Sequence, residues 1–364
     1  MKFAVIEYSS KTKSIWRHTA ERPNYVCDPI HEIDPTSFGC YVSALEGEHI
    51  PLTSLIVGKN VNPIVGIFRK IKKRLSGNWP LDYDISYLKS FDVLLVVYQL
   101  SDGHEMLRFI KKLRTEHPSC KVLGVPTQPY GILREAWDAK PESITEIKQF
   151  MDQCDVFLTI VKRTLPIWKK MSSVNIQYVP QPYPVEYACE KYRPRDKKSN
   201  ILFVAGVTGR DSIAKGQLVA VQLQKLFPTY RIQMAAVPGM ELDVKNLQGS
   251  SYDIIPFQPW QEHLSMLSRV ALIINTDYTQ TRGRVQADSA AVGTPSIGAN
   301  SDAQDDLFPK LHAERETTVE QLVLQGKQLL NDSSYYNEIM QTAIKRLKEY
   351  DYKHSKKRIE DLVL

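Results

Sequence analysis

Short β-branched apolar runs alternate with longer stretches of helical periodicity almost from end to end of this chain. That alternation calls for parallel sheets whose strands are joined by crossover helices, an α/β architecture. In the first half the runs read as strands at 3–7, 93–97, 122–125, 156–160 and 176–179. The run at 92–98 leads into a predicted helix over 104–117, with Met106, Leu107, Ile110 and Leu113 on one face. Strands this continuously apolar imply cover on both faces of the sheet.

The pattern breaks once. In Pro180-Gln181-Pro182-Tyr183-Pro184, three prolines in five residues can continue neither a helix nor a central strand, and a polar, charged stretch follows to Asn200. A second α/β pattern then starts, with strands at 201–205, 231–235, 252–256, 271–275 and 294–297. Helices are predicted over 216–227, 262–268, 285–291 and 319–330, and a basic helical tail over 335–364. At 364 residues the chain suits two domains. We read an N-terminal domain at 1–185, a linker at 186–199, a C-terminal domain at 200–349 and a crossover helix at 350–364. In such a pair the ligand belongs in the cleft, where strand C-termini and helix N-termini meet.

Composition narrows the class. Apolar residues make up 43% and charged residues 24%, as in a soluble globular protein. Five scattered cysteines without a CxxC pair argue against a disulfide framework and a structural zinc site. No run approaches the ~20 apolar residues of a membrane span, and the N-terminal apolar run is too short for a signal peptide, so a cytoplasmic protein is expected.

Two stretches carry the chemistry. Gly206-Val207-Thr208-Gly209-Arg210-Asp211-Ser212-Ile213-Ala214-Lys215-Gly216 follows an apolar strand and opens a helix. Glycines allow close backbone approach, helix N–H groups meet an anion, and Arg210 and Lys215 add charge suited to a diphosphate. An ordinary strand-to-helix turn with exposed cations is the plainer reading. The second stretch runs from Asn275 through Gln280, Arg282, Gly283 and Arg284 to Asp288-Ser289-Ala290-Ala291-Val292-Gly293-Thr294-Pro295. Its small residues let a short helix pack close to the sheet. Gly283 lets backbone amides reach a phosphate or sugar hydroxyl. Asp288 lies one helical turn beyond Arg284, so both can face one ligand.

Arg210 and Lys215 in Gly-Arg-x-x-x-x-Lys-Gly, with Asp288 to Pro295 downstream, resemble the donor half of GT-B glycosyltransferases. The similar group is the large retaining family that uses nucleotide-sugars without a metal. The resemblance implies two Rossmann-like domains facing across a cleft, with the C-terminal helix crossing back to the first. It implies that Arg210 and Lys215 neutralise the donor diphosphate. Asp288 takes the place of the family's ribose-binding Glu, and Gln280 that of its first Glu. Phe257, in Pro256-Phe257-Gln258-Pro259-Trp260, is similar to the base-binding turn. Gly209, Arg282, Gly283 and Arg284 complete the expected donor site. The implied reaction moves a sugar from a nucleoside-diphosphate sugar to an acceptor hydroxyl, with no cofactor and no metal. A nucleotide-sugar epimerase of the same fold and a non-catalytic nucleotide-sugar-binding module are the alternatives.

The N-terminal half should hold the acceptor, whether glycan, lipid-linked or another hydroxyl compound. His18, His31, Glu32 and Asp34 lie in polar, loop-rich sequence past the first strand and are candidates for a general base. In 64–75, Ile64, Ile67, Phe68, Ile71 and Leu75 share one face, and Arg69, Lys70, Lys72, Lys73 and Arg74 take most of the other. Such a helix suits an anionic membrane surface or a polyanionic acceptor, or simply packs on a core with its basic face solvated. Without aromatic stacking residues beside the charge, nucleic acid is an unlikely partner.

Overall fold

A computed structural model describes residues 1–8, 16–17, 39–57, 82–193, 198–206, 210–236, 252–256 and 258–364. Among these, the first sheet comprises β1 (Phe3–Glu7), β2 (Trp16–Arg17), β3 (Glu48–Pro51), β4 (Val93–Tyr98), β5 (Lys121–Pro126), β6 (Val156–Thr159) and β7 (Asn175–Tyr178). Their order is β2-β3-β1-β4-β5-β6-β7, parallel except for the antiparallel edge strand β2. Alternation along the strands divides the core. Ala4, Ile6, Leu94 and Val96 pack on one face, and Phe3, Val5, Leu95 and Val97 on the other. Both faces are buried, which is why the runs read as continuously apolar.

The second sheet comprises β8 (Ile201–Val204), β9 (Arg231–Ala235), β10 (Tyr252–Ile255), β11 (Leu272–Ile274) and β12 (Ser296–Ile297). It is parallel throughout, in the order β10-β9-β8-β11-β12. In each sheet the chain lays two further strands on one side of its first strand, then returns to add strands on the other side. The switch points fall between β1 and β4 and between β8 and β11, and a crevice opens outside the strand C-termini at such points.

Two local expectations need correction. The helix after β8 spans Arg210–Leu226, six residues earlier than its predicted start at Gly216. Gly216 lies inside it because a Cβ there would stand 2.9 Å from Thr276 Oγ1 and 3.2 Å from Val204 Cγ1. Close packing on the sheet outweighs glycine's weak helix propensity. The stretch after the prolines also opens with a helix, Val185–Tyr192, whose Val185 and Ala188 join the second core.

The chain's end returns to the first domain. Helix Ser333–Leu347 gives way to a 3₁₀ turn at Lys348–Tyr350, and helix Tyr352–Val363 follows. Ile359 is fully buried among Phe3, Val5, Tyr41 and Val97, with Leu362 and Val363 packed beside it. Lys356 Nζ meets Glu46 at 2.8 Å on the same surface. At the crossing, Tyr183 N donates to Tyr350 O at 2.8 Å, so the outgoing and returning segments are bonded to each other.

Candidate functional site

A cavity of about 230 Å³ lies between the domains. Thr127, Pro129, Ile160 and Val161, in the turns after β5 and β6, line its first-domain side. Gly206 after β8, Asn275 and Asp277 after β11, and Thr281, Arg282, Arg284 and Gln286 line the second. The second-domain wall is therefore the crevice at the β8/β11 switch point. Turns define it, because the strands themselves are fully apolar.

Helix Arg284–Ala291 starts at this wall. Gly283 caps it at φ +86, the left-handed conformation, and a Cβ there would stand 2.5 Å from Ser301 Oγ and 2.6 Å from Ala303 Cβ. Glycine is required here twice, by conformation and by space. Arg282 and Arg284 flank the turn and also border a second, smaller cavity that reaches Tyr178, Gln181 and Tyr183. Gln280 likewise has a positive φ of 53, and its amide donates to Asn300 Oδ1 at 3.3 Å.

Asp288 has partners that the sequence does not reveal. It is 2% exposed, and its Oδ1 accepts bonds from Tyr183 Oη at 2.7 Å and Trp260 Nε1 at 2.9 Å. Its Oδ2 lies 3.7 Å from Arg284 Nε. Burial, and next the Asp288 carboxylate, push the Tyr183 phenol well above its ordinary value. The carboxylate thus ties the interdomain strap to two helices of the second domain.

Arg210 opens its helix, and Lys215 lies in the second turn, five residues on. Five residues rotate a helix by about 500°, so the two do not share a face. Lys215 Nζ donates to Arg315 O at 2.8 Å and sits 4.9 Å from the centre of the Tyr278 ring, and burial lowers its pKa. The Arg210 side chain, Gly209, Phe257, His18, His31, Glu32, Asp34 and the 64–75 segment lie outside the described residues.

Residues that sequence reasoning passed over bridge the domains beside the cavity. Arg163, after β6, reaches Glu314 at 2.7 Å and Asp305 at 2.8 Å. The Lys162 amide donates to the Asp302 carboxylate, and Gly131 N donates to Thr279 O at 3.0 Å. Burial, reinforced by Asp306 and Asp305, pushes Asp302 up to about 7 against the lowering effects of the Lys162 amide and Arg163. These residues come from helix starts and turns of both domains and form no local motif. Among the described residues, no group of three His, Cys, Asp or Glu side chains is arranged to hold a metal ion. Nor is any described helix long and apolar enough to cross a membrane.

Comparison with known proteins gives the fold its name. No protein-family model matches the sequence, and no curated protein matches it. Among solved structures, sucrose-phosphate synthase from Thermosynechococcus elongatus superposes with a TM-score of 0.60 at 13% identity, covering 99% of this chain and 98% of that one. UDP-GlcNAc 2-epimerase from Neisseria meningitidis, bound to UDP-GlcNAc, gives 0.58 at 11% identity over 100% and 99%. A variant of S. aureus TarM in complex with fondaparinux, alpha-GlcNAc-glycerol and UDP gives 0.57 at 11% identity, over 77% of this chain and 57% of that one. The fold is GT-B: two Rossmann-like domains across a cleft, with the last helix crossing back to the first.

Proposed function

We propose that this chain is a glycosyltransferase that moves a sugar from a nucleoside-diphosphate sugar to an acceptor hydroxyl. The observation that carries the reading is the interdomain cavity, whose second-domain wall is a switch-point crevice holding Arg282, Gly283 and Arg284. Cations beside a helix start at a left-handed glycine cap suit a leaving diphosphate. In this reading Arg210 adds its charge from the next helix start, and Lys215 exchanges the Arg315 carbonyl for a phosphate oxygen. Arg284 turns from Asp288 Oδ2 to the diphosphate, which leaves that oxygen for a ribose hydroxyl. Gln280, Gly209 and Phe257 complete the donor end. The neighbouring structures that carry UDP or UDP-GlcNAc support a uridine nucleotide as the first donor to try. The retaining, metal-independent course and the cytoplasmic setting belong to the same proposal.

Calorimetric titration with UDP, GDP and ADP, followed by donor turnover, tests it. Arg210→Ala and Lys215→Ala should each weaken diphosphate binding by about 1.5–3 kcal/mol, the worth of a charge-assisted hydrogen bond. Unchanged affinity in both would sink the donor-site assignment. Excess EDTA should leave turnover intact, and activity lost to EDTA and restored by magnesium or manganese would refute metal independence. An epimerase is the second reading, favoured by the end-to-end match to the Neisseria meningitidis enzyme. It predicts an epimeric nucleotide-sugar product with no acceptor added.

A further inference from the structure

A third cavity, of about 380 Å³, lies where the chain crosses between the domains. That volume falls within the range of small-molecule sites. Its lining is drawn from both domains: Tyr178 ends β7, and Asp306 belongs to the helix Asp302–Leu307. Arg346 and Tyr350 come from the returning segment, and Arg358 from the helix docked on the first domain. The cavity shares Tyr178 and Tyr350 with the smaller one beside Arg282 and Arg284. That smaller chamber offers about 20 Å³, room for about one water, so it passes no sugar from the donor cavity. The crossing cavity is therefore a site of its own.

A spare cation and fixed aromatic rings line it. Tyr350 Oη donates to Asp306 Oδ2 at 2.8 Å, and the Tyr178 hydroxyl is hydrogen-bonded to that of Tyr350. Arg358 pairs with Glu349 at 2.6 Å, a side chain 60% exposed and easily displaced into solvent. Arg346 has no carboxylate partner among the described residues, and its Nη1 donates to the backbone oxygen of Asp306 at 2.8 Å. A guanidinium has five N–H donors, so most of its capacity is unspent.

We propose that this cavity binds a hydroxylated ring carrying one phosphate or carboxylate, and that its occupancy tightens nucleotide binding in the donor cavity. Arg346, joined by Arg358 once Glu349 swings away, takes the anionic group. The tyrosines flank the ring, and Asp306 accepts from its hydroxyls. Such a ligand ties Arg346 of the second domain to Arg358 on the first, and so holds the arrangement that encloses the donor cavity. A bonded chain joins the two sites. Tyr183 N donates to Tyr350 O at 2.8 Å, Tyr183 Oη donates to Asp288 Oδ1 at 2.7 Å, and Asp288 Oδ2 lies 3.7 Å from Arg284 of the donor wall. The coupling rests on the transferase reading, and the site does not.

The test uses the full chain. Glucose 1-phosphate, glucuronate, inorganic phosphate and glucose are titrated calorimetrically with UDP held at saturation, so that the donor cavity is filled. Glucose 1-phosphate or glucuronate should bind at least about 10-fold more tightly than phosphate or glucose, because only a ring anion uses both halves of the lining. At saturation it should lower the UDP Kd by about 5-fold or more, and UDP should tighten it by the same factor. A ligand that entered the donor cavity instead would compete and raise the UDP Kd. Arg346→Gln and Arg358→Gln should each weaken the ring anion by about 10-fold or more, and leave the Kd of UDP alone unchanged. Tyr183→Phe should keep the ring anion and lose its effect on UDP. Absence of ring-anion binding, a raised UDP Kd, or affinity untouched in both arginine variants overturns the proposal and leaves the transferase reading standing. A parent protein that binds no UDP overturns the transferase reading and the coupling, and titrations without UDP then decide the site by the same two arginine variants.

Discussion

At Gly283 a single added methyl group meets two obstacles. The left-handed φ costs any other residue about 1–2 kcal/mol, and the Cβ would press on Ser301 and Ala303, neighbours held by the next helix. Gly283→Ala should therefore lower the melting temperature and weaken diphosphate binding together. A variant that melts and binds like the parent would show that the cap is not needed. Asp288 separates differently. Asp288→Ala strands the Tyr183 hydroxyl and the Trp260 N–H in a buried site, which should cost at least about 1–3 kcal/mol with no ligand present. Asp288→Asn keeps an acceptor oxygen, so its stability should suffer less, and its nucleotide affinity reports the ribose contact. Equal melting temperatures for parent and Asp288→Ala would refute the strap. The Gly-Thr-Pro pattern singled out Asp288 as a candidate. Its buried partners lie 105 and 28 positions away and left no trace in that pattern.

Helix Tyr352–Val363 is tied to the first domain by its apolar face rather than its charges. Its basic cluster made a free tail plausible by sequence, yet Ile359 is fully enclosed by first-domain residues. Burying such a side chain is worth roughly 1.5–3 kcal/mol. Ile359→Ala should cost about 2–5 kcal/mol once the cavity left behind is included. Chemical denaturation checks this, and a loss below about 1 kcal/mol would mean the helix is only loosely docked. Helix Arg210–Leu226 teaches the opposite lesson. Local propensity put its start at Gly216, whereas contact with Val204 and Thr276 made that glycine an interior residue.

Across the whole molecule, Arg163, Lys162 and Gly131 hold the two domains together beside the cavity. The half-exposed Arg163 pairs are screened by water and individually weak. Asp302 matters more, because it is 4% exposed and carries its proton up to about pH 7. Its folded value lies above the ordinary 3.8, so the folded chain binds the proton more tightly. That contribution to stability is fully present below about pH 4 and is lost as the pH rises through 7. Full ionisation should cost about 4 kcal/mol, shared between unfolding and loosening of the interface. Asp302→Asn keeps an acceptor for the Lys162 amide and removes the titration. Its melting temperature should gain on the parent's as the pH rises from 5 to 8, and parallel curves would refute the role given to Asp302.

By itself the sequence determined the fold class, the place where the chain leaves its first sheet, and the turn that carries Arg282 to Arg284. Those features are local: apolar runs with a period, prolines that cannot pair, glycines and small residues at a strand-to-helix turn. Strands β2 and β3 and helix Gly39–Leu45 escaped it, being short and without clear periodicity. Only the tertiary structure decided which groups meet. It turned Lys215 toward Arg315, enclosed Asp288 between Tyr183 and Trp260, and brought Glu7 of β1, His49 of β3 and Gln99 after β4 together. Contacts of that kind depend on strand order and domain docking, and the order of residues along the chain carries no direct record of either.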